Sequence, residues 1–299
     1  MMARKYFIVI FTLLLIFVAD RRLHNRDIHF SPDNVITGNP YPSLEMGELA
    51  PPEVKAILSQ KFTYYSKGSQ SYVFISEDQK YILKLFKRYV YEPRSFLAYI
   101  PLSFNPFFRE HQAKLQKKSA TFQACATAYR EIKERCGMVY LHLNPTKHQL
   151  PKGDLVDKRG KKYELDFDQT CFQLQKKAQL IYPRIAELMQ AGEVAQAKEI
   201  ISSIFDTLDE FGKKGICEND PILRKNFGLI DDRAVQIDVG KMKINEERKK
   251  NQAYKLEIEG ISLRFKQWLA ENYPQLLPHF HKKLKEITVY QECNAALHQ

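Results

Sequence analysis

The chain has 299 residues, of which 44% are apolar and 12% aromatic, enough for one large domain or two lobes with a core each, which excludes a disordered protein. Lysine and arginine number 46 against 35 acidic residues, a formal charge of +11 that suits an anionic partner such as a nucleotide, a membrane surface or an acidic substrate. No nucleic-acid motif accompanies that charge, so nucleic acid is not expected as a ligand, and the five scattered cysteines (Cys125, Cys136, Cys171, Cys217 and Cys293) lack the paired spacing of a zinc site.

Tyr6 to Ala19 is almost unbroken apolar sequence, with Arg4 and Lys5 before it and Asp20, Arg21 and Arg22 after it. This pattern is of the signal type. The run is short for a spanning helix of about 20 residues, but flanking arginine and lysine can snorkel and extend its reach. Cleavage after Ala19 would put Phe17 where a small residue is wanted, so the expectation is an uncleaved membrane anchor through residues 6–19. Secretion through a signal is the alternative. Residues 1–28 then form the anchor segment. Residues 29–58, with prolines at 32, 40, 42, 51 and 52, read as an extended linker.

Three strands are expected next, at Phe62 to Tyr65, Tyr72 to Ile75 and Tyr81 to Phe86, with a turn at Glu77 to Lys80 between the last two. Residues 88–112 carry aromatics and prolines with no period and read as an irregular insertion. Phe122, Cys125, Ala126, Tyr129 and Ile132 then fall on one helical face. Strand-like runs follow at Met138 to Leu143, at Leu155 to Phe167 around a turn at Arg159 and Gly160, and at Cys171 to Leu174. From Pro183 the pattern is helical, clearest in Val194, Ala197, Ile200, Ile201, Ile204, Phe205, Leu208 and Phe211, with Gly212 and Gly215 placed to end the helix. A hairpin is expected over 226–240, then two amphipathic helices around Trp268 and Leu277. Strands first and helices afterwards is an α+β plan.

Four motifs stand in order on this frame. Ser66-Lys-Gly-Ser-Gln-Ser-Tyr-Val73 lies between two strands, and Lys84 sits in the third strand. The helix of residues 122–132 carries Glu131. After the helix ending near Phe211 come Asp220, Asn226 and, 12 residues beyond Asn226, Asp238-Val-Gly240.

Read together, these resemble the protein-kinase-like superfamily. The resemblance implies a two-lobed fold, a small antiparallel β lobe over 59–178 and a helical lobe over 179–299. It also implies roles for the matching residues in phosphoryl transfer. Gly68 matches the second glycine of the phosphate loop, with Ser66 and Ser71 at the places of the first and third. Val73 matches the valine over the adenine, and Lys84 the lysine that contacts the phosphates. Glu131 resembles the glutamate that holds that lysine. Asn226 and Asp238 match the magnesium ligands, and Asp220 the aspartate that orients the acceptor hydroxyl.

The match departs from the family in three places. Glu218-Asn219 stands where His-Arg usually precedes the catalytic aspartate, and Asp220 to Asn226 is one residue longer than the common spacing. After Gly240 there is no Ala-Pro-Glu-like segment, only the basic run Lys241 to Lys250. The pattern is therefore closer to atypical kinases of small molecules, sugars or lipid-linked glycans. The leading expectation is a membrane-associated kinase-like enzyme using ATP and Mg2+ on a hydroxyl acceptor. An inactive pseudokinase acting as a binding module is the alternative, and a basic, membrane-anchored interaction protein the third reading.

Overall fold

The computed structural model describes residues 30–38, 44, 49–93, 106–218, 222–250 and 253–295. The apolar run at 6–19 and Asp220 lie outside them. Among the described residues no helix is long and apolar enough to cross a membrane.

The first strands form as their alternation dictates: β1 (Phe62–Lys67), β2 (Ser71–Ser76) and β3 (Tyr81–Phe86) make an antiparallel meander. Phe62, Phe74, Leu83 and Leu85 point to one face and are fully buried there. The β2–β3 turn is held by Asp78, whose carboxylate accepts from the Ser76 hydroxyl at 2.6 Å and from the Lys80 amide at 3.0 Å. β4 (Met138–His142) and β7 (Phe172–Lys176) continue the sheet on the β3 side.

On the opposite edge a hairpin, β5 (Lys152–Val156) and β6 (Lys162–Asp166), adds to β1. The order is β4-β7-β3-β2-β1-β5-β6, and of these pairings only β1–β5 is parallel. The turn expected at Arg159 and Gly160 is present, with Gly160 at φ 81° and the Asp157 carboxylate accepting from the amides of Arg159 and Lys161.

Two expectations are corrected here. The supposed linker contains a helix, α1 (Pro52–Leu58), which opens on proline and buries Val54, Ile57 and Leu58 against the sheet core. Val35 bridges Lys87 and the Ile36 amide bonds to the Phe86 carbonyl, so the described part of 29–58 belongs to the β lobe. The supposed irregular insertion contains α2 (Arg88–Tyr91) and the first turns of a 26-residue helix, α3 (Pro106–Glu131). Lys118 in α3 is fully buried, and its ammonium meets the Glu92 carboxylate at 2.8 Å.

A second core is helical. It joins the inner face of α3 to α4 (Ile181–Gln190), α5 (Val194–Lys213) and two later helices, α8 (Tyr254–Asn272) and α9 (Leu277–Ala295). The α5 stripe read from the sequence is buried as expected, from Ala197 to Phe211, and Gly215 at φ 70° ends the helix in the left-handed region. Between α5 and α8 lie β9 (Ile216–Glu218), α6 (Leu223–Asn226), β10 (Phe227–Ile230), β11 (Arg233–Gln236), β12 (Met242–Ile244) and α7 (Glu246–Lys250). The short β8 (Gln179–Leu180), which follows β7 directly, pairs with β10 and links the segment leaving the large sheet to this second group. The architecture is mixed α+β.

Candidate active site

The hairpin β10–β11 carries the candidate metal ligands. Its two-residue turn, Asp231-Asp232, has φ of 51° and 55°, the geometry whose twist matches that of paired strands. The strands pair Phe227 with Gln236 and Ile230 with Arg233, so the residues entering and leaving the hairpin meet at its open end. Asn226 enters, and Ile237 and Asp238 leave. The Ile237 amide donates to the Asn226 carbonyl at 2.7 Å, which closes that end.

Gly228 in β10 is required by a close approach. A Cβ there would lie 2.8 Å from the Ala178 Cβ and 3.0 Å from the Gln179 carbonyl oxygen. The hairpin therefore sits directly against the segment that leaves the large sheet.

Lys84 reaches this point from the other side. It lies opposite Val73 on β2 and Gln173 on β7, in the middle of the sheet. Its ammonium donates to the Ile237 carbonyl at 2.5 Å. One residue, Ile237, thus ties Lys84 through its carbonyl and Asn226 through its amide, one position before Asp238. Burial pushes the Lys84 pKa below its ordinary value, and the Asp238 charge pulls it part of the way back. The Asp238 carboxylate is exposed and accepts from the Gly240 amide at 3.4 Å.

The phosphate-loop candidate is a tight turn between β1 and β2. The Gly68 amide donates to the Ser71 carbonyl at 3.1 Å, and the Gly68 carbonyl accepts from the Lys87 ammonium. The tip of this turn leans onto the Asp-Val-Gly segment, since a Cβ on Gly240 would lie 2.5 Å from the Gln70 side-chain oxygen. Lys84 and Asn226 thus meet the Ile237 backbone beside Asp238, with Val73 opposite Lys84 in the sheet and the Gly68–Ser71 turn reaching Gly240 through Gln70.

Glu131 is not. Its carboxylate is exposed at the C-terminal end of α3, its backbone carbonyl accepts from the Lys214 ammonium at 2.7 Å, and among the described residues it makes no ion pair with Lys84. The expected pairing of Glu131 with Lys84 is corrected accordingly. On the buried face of α3 stands instead Cys125, a neutral thiol that accepts from the Gln173 amide and is pushed up to about 12 by burial.

Two further residues at the site were missed. Gln70 had no signal beyond its place at the loop tip. Lys87 could have been marked as a lysine directly following an apolar strand: it is fully buried, holds the Gly68 carbonyl, and stands 5.2 Å from the centre of the Tyr72 ring.

Among the described residues no cluster of three or more histidine, cysteine, aspartate or glutamate side chains is placed to hold a metal. Hard cations such as magnesium take oxygen ligands, and the Asp238 carboxylate and the Asn226 side-chain amide are of that chemical type.

No family model and no curated protein matches the chain. Among solved structures, a crystal structure of WbdD is 16% identical with a TM-score of 0.36, covering 74% of this chain and 45% of that one. The structure described as the bifunctional kinase-methyltransferase WbdD is also 16% identical, with a TM-score of 0.34, and covers 72% and 43%. WaaP in complex with acyl carrier protein is 11% identical with a TM-score of 0.29, covering 85% of this chain and 98% of that one. The chain spans less than half the length of the WbdD structures it resembles. At TM-scores this low the likeness carries no weight of its own, and the functional reading rests on the geometry above.

Proposed function

We propose that this chain is an atypical kinase-like phosphotransferase that binds ATP with Mg2+ and transfers the terminal phosphate to a hydroxyl. The observation that carries the reading is the Ile237 backbone, which holds Lys84 on one side and Asn226 on the other, beside Asp238. Lys84 lies more than 140 positions before Asn226 and Asp238 in the sequence, and its contact with the residue between them supports a shared site.

In this reading Lys84 neutralises the nucleotide phosphates, while Asp238 and Asn226 supply oxygen ligands to the metal. The Gly68 turn covers the phosphates from above. When bound, magnesium stabilises negative charge on the phosphate oxygens. The acceptor oxygen forms its bond to the γ-phosphorus as the bond to the bridging oxygen of ADP breaks. Asp220, the match to the catalytic aspartate, is the proposed recipient of the hydroxyl proton. The apolar run at 6–19 would keep the protein at a membrane.

One observation favours a second reading, a nucleotide-binding pseudokinase. Lys84 is held by a backbone carbonyl and not by the Glu131 carboxylate.

Thermal unfolding with and without Mg-ATP tests the nucleotide site, run beside Lys84→Ala and Asp238→Ala. At about 100 times the dissociation constant the ligand should add roughly 2.7 kcal/mol. A magnesium-dependent rise lost in both variants supports the site, and no rise in the parent protein removes it. Release of ADP that Asp220→Ala abolishes would separate the enzyme from the pseudokinase.

A further inference from the structure

A cavity of 970 Å³ lies in the helical lobe beneath the candidate site. Its wall includes Cys217 and Ile222, on either side of the segment that carries Asp220, and Lys225 and Phe227, on either side of Asn226. Gln236 also lines it, and the Gln236 side-chain amide donates to the Asp238 carbonyl at 3.0 Å. The cavity thus adjoins the Asp238 backbone through one side chain.

Its charge is one-sided. Arg224, Lys225, Arg248 and Arg264 line it against only Glu257 and Glu271, and Glu257 is already paired with Arg248. Arg224 and Arg264 stand in the same wall as Tyr182, with the Arg224 guanidinium 5.8 Å from the centre of the Tyr182 ring. Trp268 forms the apolar floor beside them, its ring 4.5 Å from that of Tyr182. Arg224, Lys225 and Arg264 make no ion pair among the described residues.

We infer that this cavity seats the phosphate acceptor, and that the acceptor is a hydroxyl compound bearing its own oxyanion, a phosphate or a carboxylate, bound between Arg224 and Arg264. The inference rests on the phosphotransferase reading for the word acceptor, and on the cavity alone for the preference for an anion. Guanidinium groups are suited to both oxyanions because their fork matches two oxygens at once. Aromatic rings below leave the uncharged part of the ligand a flat apolar surface.

The chain has one tryptophan, Trp268, so its emission reports on this cavity without labelling. The full chain is titrated with glucose 6-phosphate, with glucuronate and with glucose, and the Mg-ATP thermal shift is recorded in parallel. A saturable change with one or both anionic probes, absent with glucose, is expected, and which of them responds identifies the oxyanion. Arg224→Gln and Arg264→Gln should each weaken it at least tenfold while the Mg-ATP shift stays as in the parent protein. Lys84→Ala should leave the anion response intact. An equal response to glucose, or none to any probe, overturns the inference whatever the nucleotide result. A normal anion response with no Mg-ATP shift upholds the anion site and overturns the phosphotransferase reading instead.

Discussion

Gly212 offers a test in which the sign of the effect decides. It lies in the last turn of α5, where alanine would ordinarily stabilise a helix by about 1 kcal/mol. Here a Cβ would lie 1.9 Å from a carbon of the Tyr254 ring, with two more ring atoms within 2.5 Å. Tyr254 is buried and stands at the start of α8, so the ring cannot swing into solvent without losing its packing. Overpacking of this kind costs about 1–3 kcal/mol, which outweighs the helical gain and leaves Gly212→Ala destabilised by roughly 0–2 kcal/mol.

The companion Tyr254→Ala removes the obstacle. In the double variant the alanine at 212 should become neutral or stabilising, a coupling of at least about 1 kcal/mol. Urea unfolding of the four proteins, with slopes compared as well as midpoints, measures it. If Gly212→Ala alone is more stable than the parent by about 1 kcal/mol, the close approach of α8 to α5 is wrong, and so is the wall of the cavity that both residues line.

Three other outcomes are expected. Lys84→Met should leave the ligand-free protein as stable as the parent or more so, because burial already disfavours the ammonium, while abolishing the Mg-ATP shift; a full-sized shift would place the phosphates elsewhere. Glu92→Ala should cost about 1–3 kcal/mol in denaturant unfolding by removing the carboxylate that pairs with the buried Lys118 ammonium, and an effect below about 0.5 kcal/mol would contradict the pair. Burial, helped by Lys67, lowers the Lys87 pKa from 10.5 to about 8. Between these values the unfolded chain holds more protons than the folded one, so this group makes stability rise with pH, on the order of 1 kcal/mol after screening. The stability of Lys87→Met should lack that increment between pH 8 and 10.5, and parallel pH curves for the two proteins would exclude it.

The features legible in the sequence are those with short-range causes. The hairpin within 226–240, the α5 stripe and the strand containing Lys84 follow from turn chemistry and period, and the structure has all three. The first half of α3 was hidden because its residues before Lys118 are mostly exposed and polar, so no apolar stripe marks them. The α1 helix is only seven residues long behind two prolines, too short for a period to register. Glu131 failed for a related reason. The buried face of α3 runs through Cys125 and Tyr129 and on to Ile132, and Glu131, one residue and about 100° away, turns outward. Periodicity locates a helix, but which of its residues meets a distant lysine depends on how the helix is rotated against the sheet. The cavity was invisible because its cations come from α6, α7 and α8, brought together only by packing.

The parallel pairing of β1 with β5 bears on how the chain is made. β1 ends at residue 67, and its partner does not begin until residue 152. During synthesis the backbone of β1 on that side stays open, a free edge able to pair with any extended strand nearby, until some 85 further residues have emerged. Closing so long a loop is slow compared with forming the meander itself, so the β5–β6 hairpin acts as a late-arriving guard on an aggregation-prone edge. Fragments ending between α3 and β5 should therefore associate through β1, or through β3, whose partner β7 they also lack.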